Sequence, residues 1–183
     1  MNIDRVIKEW EDDPEIASNL ASWVRTPPKL ADLRDFPQDL DQSLIQNLRA
    51  GGIHALFSHQ AKAYDLLMQG ENLVIATGTA SGKTLCYNLP VLNTIFRNSS
   101  ATALYLFPTK ALAQDQVKHI QALSGGSEKQ TLVRAGIYDG DTPGHQRAEI
   151  RKNANILITN PDMLHQGILP HHTNWKRFLS GLR

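Results

Sequence analysis

One stretch of the chain, residues 73–84, constrains the fold more than any other. It begins with an apolar run over residues 73–76, passes through small residues and ends in Gly82-Lys83-Thr84. The apolar run predicts a strand that is buried on both faces, and leucines at helical spacing predict a helix after the loop. A strand, a small-residue loop, Gly-Lys-Thr and a helix form the layout of a phosphate-binding P-loop. We call residues 77–84 the Gly-Lys-Thr loop.

The residue types of the Gly-Lys-Thr loop suit a nucleotide. Small residues let backbone N–H groups converge on phosphate oxygens, and a helix N-terminus adds positive potential. We expect Lys83, the candidate catalytic residue, to reach the β and γ phosphates and the Thr84 hydroxyl to hold Mg²⁺. The predicted nucleotide-binding residues of the loop are Thr77, Gly78, Thr79, Ala80, Ser81, Gly82, Lys83 and Thr84.

The spacing of the loop departs from the strict P-loop pattern. Thr77 stands where the pattern has glycine, Gly78 comes one place later, and Ala80 replaces another common loop glycine. The alternative reading is an ordinary strand-to-helix turn whose lysine is solvated. The predicted strand before the loop and the predicted helix after it favour the nucleotide site.

Size and composition bound the class of protein. The 183 residues suffice for one domain with a full core. A net charge of +1 supplies no overall basic field, so a nucleic-acid contact has to come from a local patch. The single cysteine, Cys86, excludes an intrachain disulfide and is expected to be a small buried residue. No apolar run approaches membrane-spanning length, which is typical of a cytoplasmic protein without a membrane partner.

The sequence before the loop predicts helices. Residues 1–24 read as one or two short helices and residues 26–40 as an irregular connector. Asp41 is expected to cap a helix that runs to Arg49, and Ser58 to cap the next one. Gln60, near the start of that second helix, is a candidate for reading adenine, because its amide matches adjacent donor and acceptor atoms. The alternative for Gln60 is a solvated helix residue.

Strand and helix patterns alternate from the loop onward. This alternation predicts an α/β fold with a three-layer parallel sheet. The predicted strands are residues 73–76, 103–107, 131–138 and 155–159, with a short helix over 145–152 and a loop over 124–127. Ligands of such sheets bind at the carboxyl ends of the strands, where polar residues concentrate in this sequence.

Several motifs together resemble a known family. Gln60, the Gly-Lys-Thr loop, Pro108-Thr-Lys-Ala-Leu-Ala113 and Thr159-Asn-Pro-Asp162 come in the order found in superfamily 2 DEAD/DEAH-box helicases. The segments 138–143 and 160–165 resemble the RecQ-related branch of DNA helicases that has a cysteine-rich C-terminal domain. The resemblance covers about residues 50–183.

The resemblance implies the first RecA-like P-loop helicase domain, incomplete and occupying residues 51–183, after a helical extension over residues 1–50. It implies ATP and Mg²⁺ as cofactors and DNA, single-stranded or forked, as the partner, with RNA as the alternative. Thr109, Lys110 and Thr159 would contact nucleic-acid phosphates. Arg147 and Arg151 would add positive charge or be solvated. The function implied is the ATP-binding part of an ATP-dependent DNA helicase, in a setting such as DNA repair.

Two parts of the family pattern do not occur in the 183 residues. There is no Asp-Glu-x-His box and no second RecA-like domain with arginine fingers. We therefore expect an N-terminal portion of a helicase that does not hydrolyse ATP by itself. The alternatives are a non-catalytic nucleotide- or nucleic-acid-binding fragment and a different P-loop enzyme such as a small-molecule kinase, although no lid-like run of arginines supports the kinase.

Overall fold

The chain divides into two compact units, which are Met1–Ala31 and Asp32–Arg183. The computed structural model describes residues 2–22, 24, 26–27, 30–125 and 132–183. The first unit contains two helices and the second contains all the strands. In chain order the α-helices and strands are α1 (Ile3–Asp12), α2 (Pro14–Asn19), β1 (Leu33–Arg34), α3 (Gln42–Ala50), β2 (Leu56–Phe57), α4 (Ser58–Met68), α5 (Lys83–Arg97), β3 (Ala103–Leu106), α6 (Lys110–Ser124), β4 (Ala135–Ile137), α7 (Gly144–Asn153), β5 (Ile156–Thr159), α8 (Pro161–Met163) and α9 (Lys176–Ser180). A π-helix (Leu164–Ile168) and a 3₁₀-helix (Leu169–Trp175) lie between α8 and α9.

The main sheet is parallel. Among the described residues it has the strand order β3-β5-β4, and every residue of the central strand β5 is buried. Ala103 pairs with Ile156 at one side of β5, and Ala135 pairs with Ile156 at the other. Near the start of β3, Thr102 forms a parallel bridge with Leu182. A second, two-stranded sheet joins β1 to β2 in antiparallel fashion.

Alternating side chains of the main sheet enter two different cores, which gives three layers. Tyr105, Ile156 and Ile158 lie in a core shared with helices α3 to α6. Leu157, between the two isoleucines, packs on the opposite face against Trp175 and other residues of the C-terminal segment. Because successive strand residues point to opposite faces, both faces of the sheet are covered. The predicted α/β three-layer parallel architecture is confirmed.

A buried polar network joins α3, α4 and α5. The Asn93 side chain of α5 accepts a hydrogen bond from the backbone N–H of Asp41 at 2.9 Å and donates to the Tyr64 hydroxyl of α4 at 2.5 Å. Tyr64 in turn donates to Asp39 at 3.0 Å, and burial raises the pKa of its phenol. This network fixes α4 beside α5, which matters because the Gly-Lys-Thr loop leads directly into α5.

One predicted strand is wrong. Residues 71–78 form no regular secondary structure and have no neighbouring strand, and Val74 is 92% exposed. An apolar run becomes a strand only when another strand supplies the hydrogen-bond partners, and none of the described residues pairs with this segment.

Most of the other predicted elements are confirmed. The two N-terminal helices are present, and Asp41 caps α3 by accepting from the N–H of Ser43 at 2.8 Å. The predicted strands at 103–107 and 155–159 correspond to β3 and β5, and Cys86 is buried. Of the predicted strand 131–138 only β4 is regular, and residue 131, like residues 126 and 127 of the predicted loop, lies outside the described residues.

The start of α4 differs from the sequence-based expectation. Ser58 is the first residue of α4 and does not cap it; the Gln60 side chain instead accepts a hydrogen bond from the N–H of Phe57 at 2.9 Å. The compact units divide after residue 31, and Leu44 and Leu48 of α3 are buried in the core of the larger unit. The division of the chain into a helical extension and a RecA-like domain stays a prediction.

Candidate functional site

The Gly-Lys-Thr loop turns through two left-handed residues before α5 begins. Ala80 has a φ of 57° and Gly82 a φ of 74°. Glycine adopts this conformation readily, whereas alanine in it is strained, and such strain concentrates at ligand sites. The left-handed residue Gly82 is the N-cap of α5, and Lys83 is the first residue of the helix.

The loop closes on itself through hydroxyl groups and the lysine. The Thr77 and Ser81 hydroxyls lie 2.7 Å apart. Lys83 Nζ folds back and donates to the carbonyl oxygens of Thr77 at 2.9 Å and Gly78 at 2.6 Å. Thr77, the residue that departs from the usual glycine, therefore takes part in the structure of the loop.

Two consecutive side chains of α4 hold two consecutive carbonyls of the loop. The Gln60 amide nitrogen donates to the Gly82 carbonyl at 2.9 Å, and His59 Nε2 lies 3.0 Å from the Ser81 carbonyl. Gln60 is only 2% exposed. A Cβ atom on residue 82 would stand 2.5 Å from Gln60 Nε2, so a side chain there would displace the Gln60 amide from its present position. The amide of Gln60 thus binds the protein at both of its ends.

The N-terminus of α5 leaves hydrogen-bond donors available. Among the described residues, no acceptor lies within hydrogen-bond reach of the backbone N–H groups of Gly82, Lys83 and Thr84. With 15 residues, α5 is long enough to carry a full helix dipole, and its positive end lies at this point. Unpaired N–H groups and positive potential are the features with which a protein binds phosphate.

Thr84 lies in the first turn of α5, close to Tyr87. Burial raises the pKa of the Tyr87 phenol, and the Thr84 side chain acts on that pKa in the opposite direction. Within the described ranges, no group of three or more histidine, cysteine, aspartate or glutamate residues could hold a metal ion. A metal at this site would therefore depend on the Thr84 hydroxyl and on the phosphates of a ligand.

A second polar region lies at the carboxyl ends of the parallel strands. Thr109 caps α6, accepting from the N–H of Leu112 at 3.4 Å, and Lys110 is the first residue of that helix. Lys110 forms an ion pair with Asp141, and this hydrogen bond raises the pKa of the lysine. Both side chains are more than half exposed. The structure brings the segments after β3, β4 and β5 together, as the sequence predicts, whereas the Gly-Lys-Thr loop has no strand connecting it to the sheet.

The segment after β4, residues 138–143, is built from its own side chains, and we call it the Asp-Gly-Asp loop. The Thr142 hydroxyl accepts from the N–H of Asp139 at 2.9 Å. Arg147 donates to the carbonyl oxygens of Thr142 at 2.8 Å and Asp139 at 3.0 Å, and its guanidinium lies 5.2 Å from the centre of the Tyr138 ring. Arg147, on α7, therefore holds the loop through its backbone carbonyls and is not a free surface charge.

The remaining predicted nucleic-acid residues differ in accessibility. Thr109 and Lys110 are exposed, whereas Thr159 is 3% exposed and its hydroxyl donates to the Tyr138 carbonyl at 2.5 Å. Arg151 donates to the Tyr138 hydroxyl at 3.3 Å. Thr159 thus connects the ends of β5 and β4 from within.

Two residues of the site have no place in the sequence-based prediction. His59 was available as the neighbour of Gln60, but its contact with Ser81 joins positions 22 residues apart. Asp141 contacts Lys110 across 31 residues. No local pattern predicts either contact. The contact of Asp141 with Lys110 could have been suspected, because both residues follow strands that end at the same edge of the sheet.

Comparison with known proteins gives a consistent family match. Residues 57–183 match the family described as DEAD/DEAH box helicase. The chain is 44% identical over 165 residues to the uncharacterized ATP-dependent helicase YprA of Bacillus subtilis. These aligned residues cover 90% of this chain and 22% of YprA. The chain is 36% identical over 181 residues to the ATP-dependent helicase HRQ1 of Saccharomyces cerevisiae, which covers 99% of this chain and 16% of HRQ1. The chain thus spans about a fifth of the length of these relatives.

Solved structures resemble the whole chain. The DUF1998 helicase MrfA bound to DNA superimposes with a TM-score of 0.90 at 40% identity, covering 100% of this chain and 25% of that chain. MrfA bound to DNA and AMPPNP gives a TM-score of 0.87 at the same identity and coverage. In the part of this chain that the structure describes, no helix is long and apolar enough to cross a membrane.

Proposed function

Because the chain belongs to the DEAD/DEAH box helicase family, we propose that it is the ATP-binding part of an ATP-dependent DNA helicase. The observation that carries the proposal is the Gly-Lys-Thr loop, whose left-handed Gly82 precedes a helix with unpaired N–H groups. The relatives are ATP-dependent helicases, and a solved relative holds both DNA and AMPPNP.

ATP fits the residues that are present. The N–H groups of Gly82, Lys83 and Thr84 bind phosphate oxygens, and Lys83 exchanges the carbonyls of Thr77 and Gly78 for the β and γ phosphates. Thr79, Ala80 and Ser81 supply the turn of the loop. Gln60 contacts the adenine edge with the donor and acceptor capacity that its two protein hydrogen bonds leave unused.

The Thr84 hydroxyl is the group that would hold Mg²⁺ beside a bound nucleotide, since Mg²⁺ commonly combines one or two protein oxygens with phosphates and water. The ion would neutralise charge on the phosphates.

Nucleic acid binds at the carboxyl edge of the sheet. Lys110 and the exposed N-terminus of α6, capped by Thr109, contact backbone phosphates of single-stranded or forked DNA. Thr159 supports this surface by holding the end of β4, since its hydroxyl donates to the Tyr138 carbonyl. DNA is favoured over RNA because the relative MrfA is bound to DNA.

The 183 residues by themselves bind ATP without hydrolysing it. Hydrolysis needs a group that positions water and a group that stabilises charge on the γ phosphate. Neither the Asp-Glu-x-His box nor a second domain with arginine fingers occurs in this sequence. An arginine finger alone is worth about 10³–10⁵ in rate.

The cytoplasm is the proposed compartment.

The experiment that tests the nucleotide site is titration of a fluorescent ATP analogue into the wild-type chain and Lys83→Ala. A charge-assisted hydrogen bond contributes about 1.5–3 kcal/mol, so we expect affinity to fall at least about tenfold. Lys118→Ala, which removes the same charge from an exposed position on α6, is the matched control and should bind like the wild type. Equal affinities of the wild type and Lys83→Ala would refute the assignment of the site.

The same proteins test the statement about hydrolysis. Steady-state phosphate release is measured with and without single-stranded DNA, and we expect no release above background from the 183 residues. Release that rises on adding DNA and disappears in Lys83→Ala would show that the chain contains a complete ATPase.

A further inference from the structure

The first turn of α4 presents His59 to the Gly-Lys-Thr loop. His59 Nε2 lies 3.0 Å from the Ser81 carbonyl oxygen, and the imidazole stacks on Phe57 with ring centres 5.8 Å apart and planes 13° apart. A carbonyl oxygen can only accept a hydrogen bond. His59 Nε2 therefore carries the hydrogen, in either the neutral or the protonated ring.

We infer that His59 is a positioning residue of the phosphate site, where its Nε2–H group orients the Ser81–Gly82 peptide so that the Gly82 N–H faces the phosphate. The inference rests on the proposed ATP site and adds a residue to it. The C=O of Ser81 and the N–H of Gly82 belong to one peptide unit, and in a trans peptide the two point in opposite directions. Holding the carbonyl toward α4 directs the N–H away from α4.

The next peptide is oriented in the same way. The Gly82 carbonyl is held by Gln60, so the N–H of Lys83 also points away from α4. The N–H groups of Gly82 and Lys83 find no acceptor among the described residues. Two successive N–H groups directed to one side form an anion-binding concavity, and it stands at the positive end of α5. Without His59, one of the two peptides loses the side chain that fixes its orientation.

Two variants separate the hydrogen bond of His59 from its ring contact. His59→Phe keeps an aromatic ring for stacking on Phe57 and removes the donor. His59→Gln removes the ring and offers an amide N–H at a similar reach. The probes are fluorescent analogues of ATP and ADP, with adenosine as the competitor that lacks phosphate, and thermal unfolding reports on stability.

We expect His59→Phe to weaken binding of the ATP analogue about three- to tenfold, the range for one neutral hydrogen bond. His59→Gln should bind within about twofold of the wild type, and competition by adenosine should change little in either variant. Equal weakening by both substitutions, or equal loss of adenosine binding, would overturn the inference, because the ring and not the donor would then be responsible.

Failure of this inference is distinguishable from failure of the ATP site. If Lys83→Ala weakens nucleotide binding and His59→Phe binds like the wild type, the site stands and His59 has no positioning role. If Lys83→Ala binds like the wild type, the site itself is wrong, and the role of His59 is overturned with it.

Discussion

Two loops of this molecule use their backbone N–H groups differently. In the Asp-Gly-Asp loop the N–H groups of Asp139 and Asp141 donate to that loop's own Thr142 hydroxyl and Asp139 carboxylate. In the Gly-Lys-Thr loop the N–H groups of Gly82 and Lys83 find no acceptor among the described residues. The carbonyls of both loops are held from a helix, which is α7 for the first loop and α4 for the second.

The difference has a physical reason. A loop whose N–H groups are bound by its own side chains can contact a ligand only through side chains that project outward, such as Asp141. A loop whose side chains leave its N–H groups unbound can present those N–H groups to an anion. The first arrangement suits a contact surface, and the second suits a phosphate site.

The substitution expected to affect this comparison most is Gly82→Ala. The left-handed φ of 74° disfavours alanine, and its Cβ would stand 2.5 Å from Gln60 Nε2, so Gln60 has to release the loop. A left-handed alanine costs about 1–2 kcal/mol, and the loss of the hydrogen bond from Gln60 adds to this cost. We therefore expect affinity for a fluorescent ATP analogue to fall at least about tenfold.

Gly140→Ala in the Asp-Gly-Asp loop is the matched control. No heavy atom lies within 4 Å of a Cβ built there, and its φ is not in the left-handed range. Nucleotide affinity should stay at the wild-type value. If both substitutions weaken binding equally, the restraint by Gln60 is not what shapes the site.

Arg147→Ala tests the Asp-Gly-Asp loop, whose carbonyls Arg147 holds from α7. The substitution removes the hydrogen bonds to the carbonyls of Asp139, Gly140 and Thr142 together. Alanine has a high helix propensity, so α7 itself should remain folded. Since hydrogen bonds to a charged group contribute about 1.5–3 kcal/mol, we expect the free energy of unfolding in urea to fall by about that amount.

Nucleotide affinity should remain unchanged in Arg147→Ala, because the Gly-Lys-Thr loop is held from α4. Arg151→Ala serves as the comparison, since that side chain makes one hydrogen bond of 3.3 Å to the Tyr138 hydroxyl. A change in stability no larger than that of Arg151→Ala would contradict the structural role given to Arg147.

The smallest expected effect concerns the outward-facing acid of the Asp-Gly-Asp loop. Asp141 pairs with Lys110, the residue proposed to contact a DNA phosphate, so the carboxylate competes with DNA. Ion pairs this exposed contribute little, because water screens them. Asp141→Asn should therefore raise affinity for a labelled single strand by no more than about fivefold at low salt, measured by fluorescence anisotropy.

The control for Asp141 is another acid that follows a strand of the main sheet and is not the one paired with Lys110. Asp162→Asn removes the same charge near the end of β5, and its effect measures the general reduction of repulsion. In a Lys110→Met background, the gain in DNA affinity caused by Asp141→Asn should fall to the size of the gain caused by Asp162→Asn. An unchanged gain in that background would show that Asp141 acts without Lys110.

Local pattern predicted much of this fold. The apolar strands β3 and β5, the capped start of α3 and the buried Cys86 all follow from the residues themselves or their immediate neighbours. The same reasoning is wrong for residues 73–76, since an apolar run does not reveal whether another strand supplies its hydrogen bonds.

The candidate site shows the same limit. The sequence predicts the glycine and the lysine of the Gly-Lys-Thr loop, and the structure brings Gln60 to that loop. It does not predict that both ends of the Gln60 amide bind protein, or that Asp141 pairs with Lys110, because these contacts join residues far apart in the chain. Tertiary packing alone determines them.

The folded-back lysine has a consequence for selectivity. Because Lys83 Nζ already binds two carbonyls of its own loop, nucleotide binding at the proposed site would be an exchange of partners and not an addition of new ones. A ligand would compensate for the surrendered carbonyls only if it brought oxygens to the position that the ammonium group then reaches. The lysine of a P-loop reaches the β and γ phosphates, which a monophosphate lacks. We therefore expect the resting position of this one side chain to favour nucleoside di- and triphosphates, independent of any contact with the base.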